Sequence, residues 1–180
     1  MPTADFQLNF LRRIQWLLES SSYTSTYKFA LLMAITNLSI ESAINDNSEC
    51  SMSYEELAEQ FVQLYWTQTL PFSHQDDHSV LRQSITAGQA KVITSILKLQ
   101  QETKTTSIRI ARTRSIEKWQ STIKEVAQTI KSNPAKYLQS AQDKVSREFL
   151  YVYNPKANAI VLMPGIAYCF TRFSQIINKL

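Results

Sequence analysis

Only two glycines, Gly88 and Gly165, occur among 180 residues, and that scarcity removes whole classes of fold and chemistry. Loops that cradle phosphates need glycine wherever the backbone must approach the ligand, so Rossmann-type and Walker-type nucleotide sites are excluded. A turn-rich all-β protein is disfavoured by the same count together with five prolines. What remains is a helical chain. Its 44% hydrophobic residues and 11% aromatics are enough for a folded core rather than disorder.

The apolar spacing bears this out along most of the sequence. Phe6, Phe10, Ile14, Leu17 and Leu18 recur at helical intervals and predict an amphipathic helix over 5–19. The run Ser20–Ser22 stops it, and Thr24 or Ser25 can cap a second helix over about 26–42. Phe29, Leu31, Leu32, Ile35, Leu38 and Ile40 cover more than half of that helix, which places it at the centre of the core. The polar stretch Asn45-Asp-Asn-Ser-Glu-Cys50 reads as a loop. Ser53 and Glu56 then form a capping box ahead of Leu57, Phe61, Leu64 and Tyr65. Pro71 and the segment Ser73–His78 interrupt this helix. Helical or mixed structure resumes after Gly88 through Ala90, Ile93, Ile96, Leu97 and Ile110, with a break near Thr103–Thr106. A helix over Ser115–Lys131 sets Ile116, Trp119, Ile123, Val126, Ala127 and Ile130 on one face. Asn133-Pro134 ends it and starts a short one.

The period then changes. Phe149-Leu-Tyr-Val-Tyr153 and Ala159-Ile-Val-Leu-Met163 are β-prone runs joined by Asn154-Pro-Lys-Ala-Asn158, the pattern of a hairpin. A last helix, 165–179, carries Ile166, Phe170, Phe173, Ile176 and Ile177 on its apolar side. The fold class is therefore α+β and predominantly α-helical. It has six or seven helices and one β-hairpin near the C-terminus, in a single domain over 1–180. Helices followed by a hairpin also suggest a winged-helix-like arrangement.

Charge is unevenly divided. Residues 1–90 hold four Lys or Arg against ten acids, while 91–180 hold fifteen against five. A partner that is acidic on one side fits such asymmetry, and nucleic acid is the commonest of these. The densest stretch contains Lys104, Arg109, Arg112, Arg114, Lys118 and Lys124, and its centre reads Ser107-Ile-Arg-Ile-Ala-Arg-Thr-Arg114. Guanidinium forks take phosphates in a bidentate manner, with hydroxyls filling the gaps between them. Arg109, Arg112 and Arg114 are the main candidates for DNA contact. Lys118, Lys104 and Lys156 at the hairpin tip are secondary ones, and Lys131, Lys136, Lys144 and Arg147 continue the charge. Trp119 shares the phase of the core residues and is not a base-stacking platform.

No catalytic centre is visible. His74-Gln-Asp-Asp-His78 is the only cluster with histidine. It follows Pro71 in a polar stretch, so a solvated loop is favoured over a metal site. There is no Gly-x-Ser-x-Gly elbow, and neither Cys50 nor Cys169 has a histidine beside it in sequence. Glu55-Glu56 and Asp76-Asp77 read as surface charge. Two distant cysteines make no disulfide framework and read as buried free thiols. No metal and no cofactor is expected. The N-terminus lacks the layout of a secretory signal, the longest apolar stretch, Phe29–Ile35, is far short of a membrane span, and a cytoplasmic location is expected.

Three phrases carry a resemblance: Tyr23-Thr-Ser-Thr-Tyr-Lys-Phe-Ala-Leu-Leu32 followed by Leu38-Ser-Ile-Glu41, Tyr54-Glu-Glu-Leu-Ala-Glu-Gln-Phe-Val-Gln-Leu-Tyr-Trp66, and Met163-Pro-Gly-Ile-Ala-Tyr-Cys-Phe-Thr-Arg-Phe173. In that order they resemble the N-terminal, non-catalytic region of bacterial HNH endonucleases of the restriction and defence type, over about residues 8–180. The resemblance implies a target-recognition or regulatory domain that acts on double-stranded DNA. The HNH nuclease domain would follow it or sit on a partner subunit. No catalytic residue is carried over, because no His, Asn and His set able to hold the nuclease ion is present. A helical interaction or dimerisation module without nucleic-acid contact is the alternative.

Overall fold

The structure, a computed structural model, describes residues 1–19, 26–69, 91–140 and 148–179. It is α-rich with a small antiparallel sheet. Among the described residues there are seven helices of seven or more residues: α1 Ala4–Glu19, α2 Tyr27–Ser42, α3 Tyr54–Trp66, α4 Lys91–Thr103, α5 Ile108–Arg114, α6 Ile116–Ser132 and α8 Ile166–Arg172. Two four-residue helices, α7 Pro134–Tyr137 and α9 Ser174–Ile177, complete the set. The expected helix starts at 5, 26, 53 and 115 and the break near Thr103–Thr106 are all present to within a residue or two. The cap at Thr24 or Ser25 and the His74–His78 segment lie outside the described residues.

α2 is the centre of the molecule. Ala30, Leu31, Leu32, Ala34 and Ile35 are buried around its circumference, and α3, α7, α8, α9 and the sheet all pack on it. A helix surrounded in this way cannot send hydroxyls to water. Thr36 and Ser39 therefore bond backwards to the carbonyls of Leu32 and Ile35, both at 2.7 Å. α3 lies along α6, and α4 packs against both. This layer supports the basic surface.

Two helix ends show what the shortage of glycine requires. α2 ends on Ala43 at φ 52° and α4 on Lys104 at φ 49°, both in the left-handed region where glycine is the usual cap. Each carries about 1 kcal/mol of Cβ strain that the surrounding packing offsets. Gly165, at φ 79°, is used where no side chain fits. A methyl there would meet Asn47 Oδ1 and lie 2.9 Å from Pro2 Cγ.

The start of α3 is fixed as the sequence requires. Glu56 N donates to Ser53 Oγ at 3.1 Å, and Ser53 N donates to Glu56 Oε2 at 2.7 Å. Ser53→Ala removes the acceptor for an otherwise orphaned helix N–H. It is expected to lower stability by about 1 kcal/mol, as read by urea unfolding.

The β-prone run near the C-terminus forms strand β2, Ala159–Leu162, and the chain doubles back over 149–163. Tyr151 bridges Leu162, and Met163 N donates to Leu150 O at 2.8 Å. The main ladder partner of β2 is strand β1, Cys50–Ser53, paired antiparallel from Cys50↔Leu162 to Ser53↔Ala159. The sheet therefore ties the loop before α3 to the segment before α8, and it is not a free wing.

Gln139 fastens this junction. Its buried side chain donates from Nε2 to Tyr151 O at 2.8 Å. Its Oε1 accepts from Phe149 N at 2.8 Å and Leu150 N at 2.7 Å. Nearby, the Tyr151 hydroxyl donates to Ala135 O at 2.8 Å, and that of Tyr153 to Lys131 O at 3.0 Å.

Burial raises the phenol pKa of Tyr27, Tyr65 and Tyr151 and pushes that of Tyr54 up to about 12. The folded state thus favours neutral phenols more than the unfolded chain does. This contribution is complete below the unfolded value of 10.0 and is lost as pH rises through the folded values. Melting temperature is expected to show no loss linked to these four tyrosines below pH 10 and to fall above it, with their tyrosinate absorbance appearing as the chain unfolds.

Candidate nucleic-acid interface

The six cations singled out in the sequence differ in what their side chains meet. Arg112 and Arg114 lie on α5, a short helix whose start is fixed by Ser107. The Arg112 guanidinium is 3.3 Å from Glu59 Oε2 on α3 and lies over the Trp119 ring at 5.6 Å. Arg114 turns back, and its Nη1 donates to Thr103 O at 2.8 Å and to Lys104 O at 3.5 Å. It thereby satisfies carbonyls at the end of α4, where a cation also suits the helix dipole. Lys118 Nζ is 3.6 Å from Glu102 Oε2. Three of the six are therefore engaged within the chain. Part of the charge asymmetry is answered internally, with α3 and α4 supplying the carboxylates.

Arg109 and Lys156 are exposed and make no ion pair with a described residue. Lys104 is exposed as well, its backbone held at the end of α4. Lys156 sits on the turn 154–157, where its N–H donates to Asn154 Oδ1 at 2.9 Å. Lys144 and Arg147 lie outside the described residues.

The sequence reading did not single out the outer stripe of α6. Lys124, Gln128 and Lys131 follow one another at four and three residues, so they share one face of the helix. Lys124 and Gln128 are exposed, and Lys131 is half-buried, its ammonium 5.6 Å above the Tyr54 ring. The same three side chains line a cleft of about 490 Å³, together with Ser53, Tyr54, Glu55 and Asn158. A second cleft, about 590 Å³, shares Lys124 and Gln128, includes Glu125 and runs to Lys91 at the start of α4. The two clefts together place Lys91, Lys124 and Lys131 and the amides of Gln128 and Asn158 along α6, with the carboxylates of Glu55 and Glu125 among them. The signal in the sequence is the spacing of Lys124, Gln128 and Lys131 opposite Ile123, Val126 and Ile130.

The placement of four residues on buried apolar faces is corrected: Phe6, Ile40, Ile116 and Ile176. Ile116, placed on the core face, is 63% exposed because it occupies the first position of α6, where no neighbouring helix covers it. Ile110 on α5 is 43% exposed, Ile40 and Ile176 are also exposed, and Phe6 lies at the edge of exposure. Trp119 is buried, as its phase predicts.

Among the described residues no cluster of three His, Cys, Asp or Glu side chains could hold a metal ion. None of their helices is long and apolar enough to cross a membrane. Cys50 and Cys169 are both free and buried, and burial raises the Cys169 thiol pKa to about 11.

A family described as Domain of unknown function (DUF8808) matches residues 7–178. The chain belongs to this family. No curated protein and no solved structure matches it. The matched span of the DUF8808 domain holds the α6 stripe, both strands and every helix from α2 onward, so the basic surface lies within the shared fold.

Proposed function

We propose that this DUF8808 domain is a double-stranded DNA-binding module that holds phosphates along the outer stripe of α6. The observation that carries this reading is the surface formed by Lys124, Gln128 and Lys131 together with Lys91 and Asn158. It presents lysines without carboxylate partners among the described residues, and side-chain amides able to bond phosphate or base edges. Arg109 and Lys104 extend the charge toward α5. Arg114 and Lys118 serve the fold instead. The resemblance to the N-terminal region of HNH endonucleases supports the same reading, with cleavage chemistry assigned to another domain or subunit.

The test is a fluorescence-anisotropy titration against a short labelled duplex at two salt concentrations. Saturable binding that weakens with salt is expected, because released counterions supply most of the affinity. Absence of binding at low salt would overturn the reading.

One feature favours a second reading, a protein-interaction module. Ile110 and Ile116 are exposed beside Arg109, and the combination of apolar side chains with arginine is typical of protein interfaces. Association that does not respond to salt and is lost in Ile110→Ser or Ile116→Ser would select it.

A further inference from the structure

The cleft between the end of α3 and α5 is separate from the α6 stripe and is built differently. It measures about 440 Å³, with Trp66, Ile108 and Trp119 on its floor and Arg109 and Arg112 at its rim. Both tryptophans are buried, so they offer ring edges and a flat apolar floor rather than open faces. The Trp66 indole N–H is used, donating to Thr106 O at 2.6 Å. The Trp119 Nε1–H is buried and has no acceptor among the described residues. The Arg112 guanidinium lies over this same ring at 5.6 Å, so the indole reports on any movement of Arg112.

The rim decides the charge of the occupant. Arg109 has no ionic partner among the described residues, and Arg112 is held at 3.3 Å by Glu59, which lies outside the cleft lining. An anion entering here competes with the Glu59 carboxylate for Arg112. A single carboxylate would only exchange like for like. A terminal phosphate, carrying about −1.5 to −2 charges and three acceptor oxygens, can displace Glu59 and span both guanidinium forks. The flat apolar floor beneath suits a planar ring.

We infer that this cleft is a binding site for a nucleotide unit bearing a terminal phosphate, with Arg109 and Arg112 on the phosphate, the base over Ile108 and the indole edges, and Glu59 as the internal competitor for Arg112. The inference rests on the DNA-binding reading for the source of the nucleotide, and it adds a site which that reading does not need. Binding releases Arg112 from Glu59 and moves its guanidinium off the Trp119 ring. No covalent step is involved.

The test uses the indole N–H resonances of the labelled full chain, which has three tryptophans. Trp119 is assigned with Trp119→Phe, or by elimination with the Trp16 and Trp66 variants if that protein does not fold. Titration with deoxyadenosine monophosphate is expected to shift the Trp119 resonance saturably. Deoxyadenosine alone and inorganic phosphate alone are expected to bind about tenfold more weakly or worse. Arg109→Ala is expected to weaken binding about tenfold. Glu59→Gln is expected to tighten it about two- to five-fold, the size of an exposed ion pair removed from competition. A merely structural Glu59 would not produce tighter binding.

Duplexes with and without terminal phosphates are titrated into the same samples. A preference for the phosphorylated duplex assigns the site to a strand end, and equal binding of the two assigns it to a free mononucleotide. An unmoved Trp119 resonance, or weaker binding by Glu59→Gln, overturns the inference. Intact duplex binding in that same sample would leave the α6 reading standing, and its loss would remove that reading separately.

Discussion

Replacing Gln139 with alanine is expected to destabilise the fold by roughly 3–5 kcal/mol, the largest effect of any single truncation considered. The side chain is buried and serves three backbone groups at once, the carbonyl of Tyr151 and the N–H groups of Phe149 and Leu150. None of these can turn to water, because Phe149, Leu150 and Tyr151 are themselves buried. Each group left unmatched costs about 1–3 kcal/mol, and the lost side chain adds a cavity. Gln139→Glu should be little better, since a carboxylate can accept from the two N–H groups but cannot donate to Tyr151 O. Urea unfolding followed by circular dichroism measures the difference. A loss below about 1 kcal/mol would mean that the segment 149–151 is held by the sheet alone.

The second large effect concerns DNA. Lys124→Ala with Lys131→Ala is expected to reduce duplex affinity about thirty-fold at physiological salt. Each phosphate contact releases about 0.9 of a counterion, worth about five-fold near that concentration, and two contacts are lost. The slope of log affinity against log salt should become shallower by about 2, and the loss should be similar for all duplex sequences. Both side chains reach outward from α6, whose buried face of Trp119, Ile123, Val126 and Ile130 is untouched. The melting temperature should therefore be nearly unchanged, with the loss of the Lys131 contact on the Tyr54 ring worth at most about 1 kcal/mol.

Much of the fold was legible because the signals are local. The Ser53–Glu56 box is complete within four residues, and the all-round apolar pattern of α2 states its burial directly. Pro134 closes α6 and opens α7 at the expected place. The β1–β2 pairing was not legible, since Cys50-Ser-Met-Ser53 is a four-residue strand following a polar loop and its partner is more than a hundred residues away. Gln139 reads as an ordinary polar residue until the segment 149–151 is folded against it.

The candidate site was half legible for the same reason. The basic excess of the second half is a property of composition and is visible at once. Which cations stay free depends on where Glu59, Glu102 and the carbonyl of Thr103 arrive, and only packing brings them to Arg112, Lys118 and Arg114. Sequence density therefore pointed to α5. The unpaired lysines instead lie along α6, spaced seven residues apart, where their shared face follows from helical geometry.

The central claim is that Lys124 and Lys131, the unpaired lysines of the α6 stripe, hold the DNA, rather than the engaged cations Arg114 and Lys118. Its most direct test compares two double variants in one anisotropy titration at matched salt, Lys124→Ala/Lys131→Ala against Arg114→Ala/Lys118→Ala, with melting temperatures measured alongside. The account predicts a large loss of affinity and a shallower salt slope for the first pair. For the second it predicts a lower melting temperature with duplex affinity nearly kept. Affinity lost only in the Arg114/Lys118 pair while that protein remains folded would contradict it.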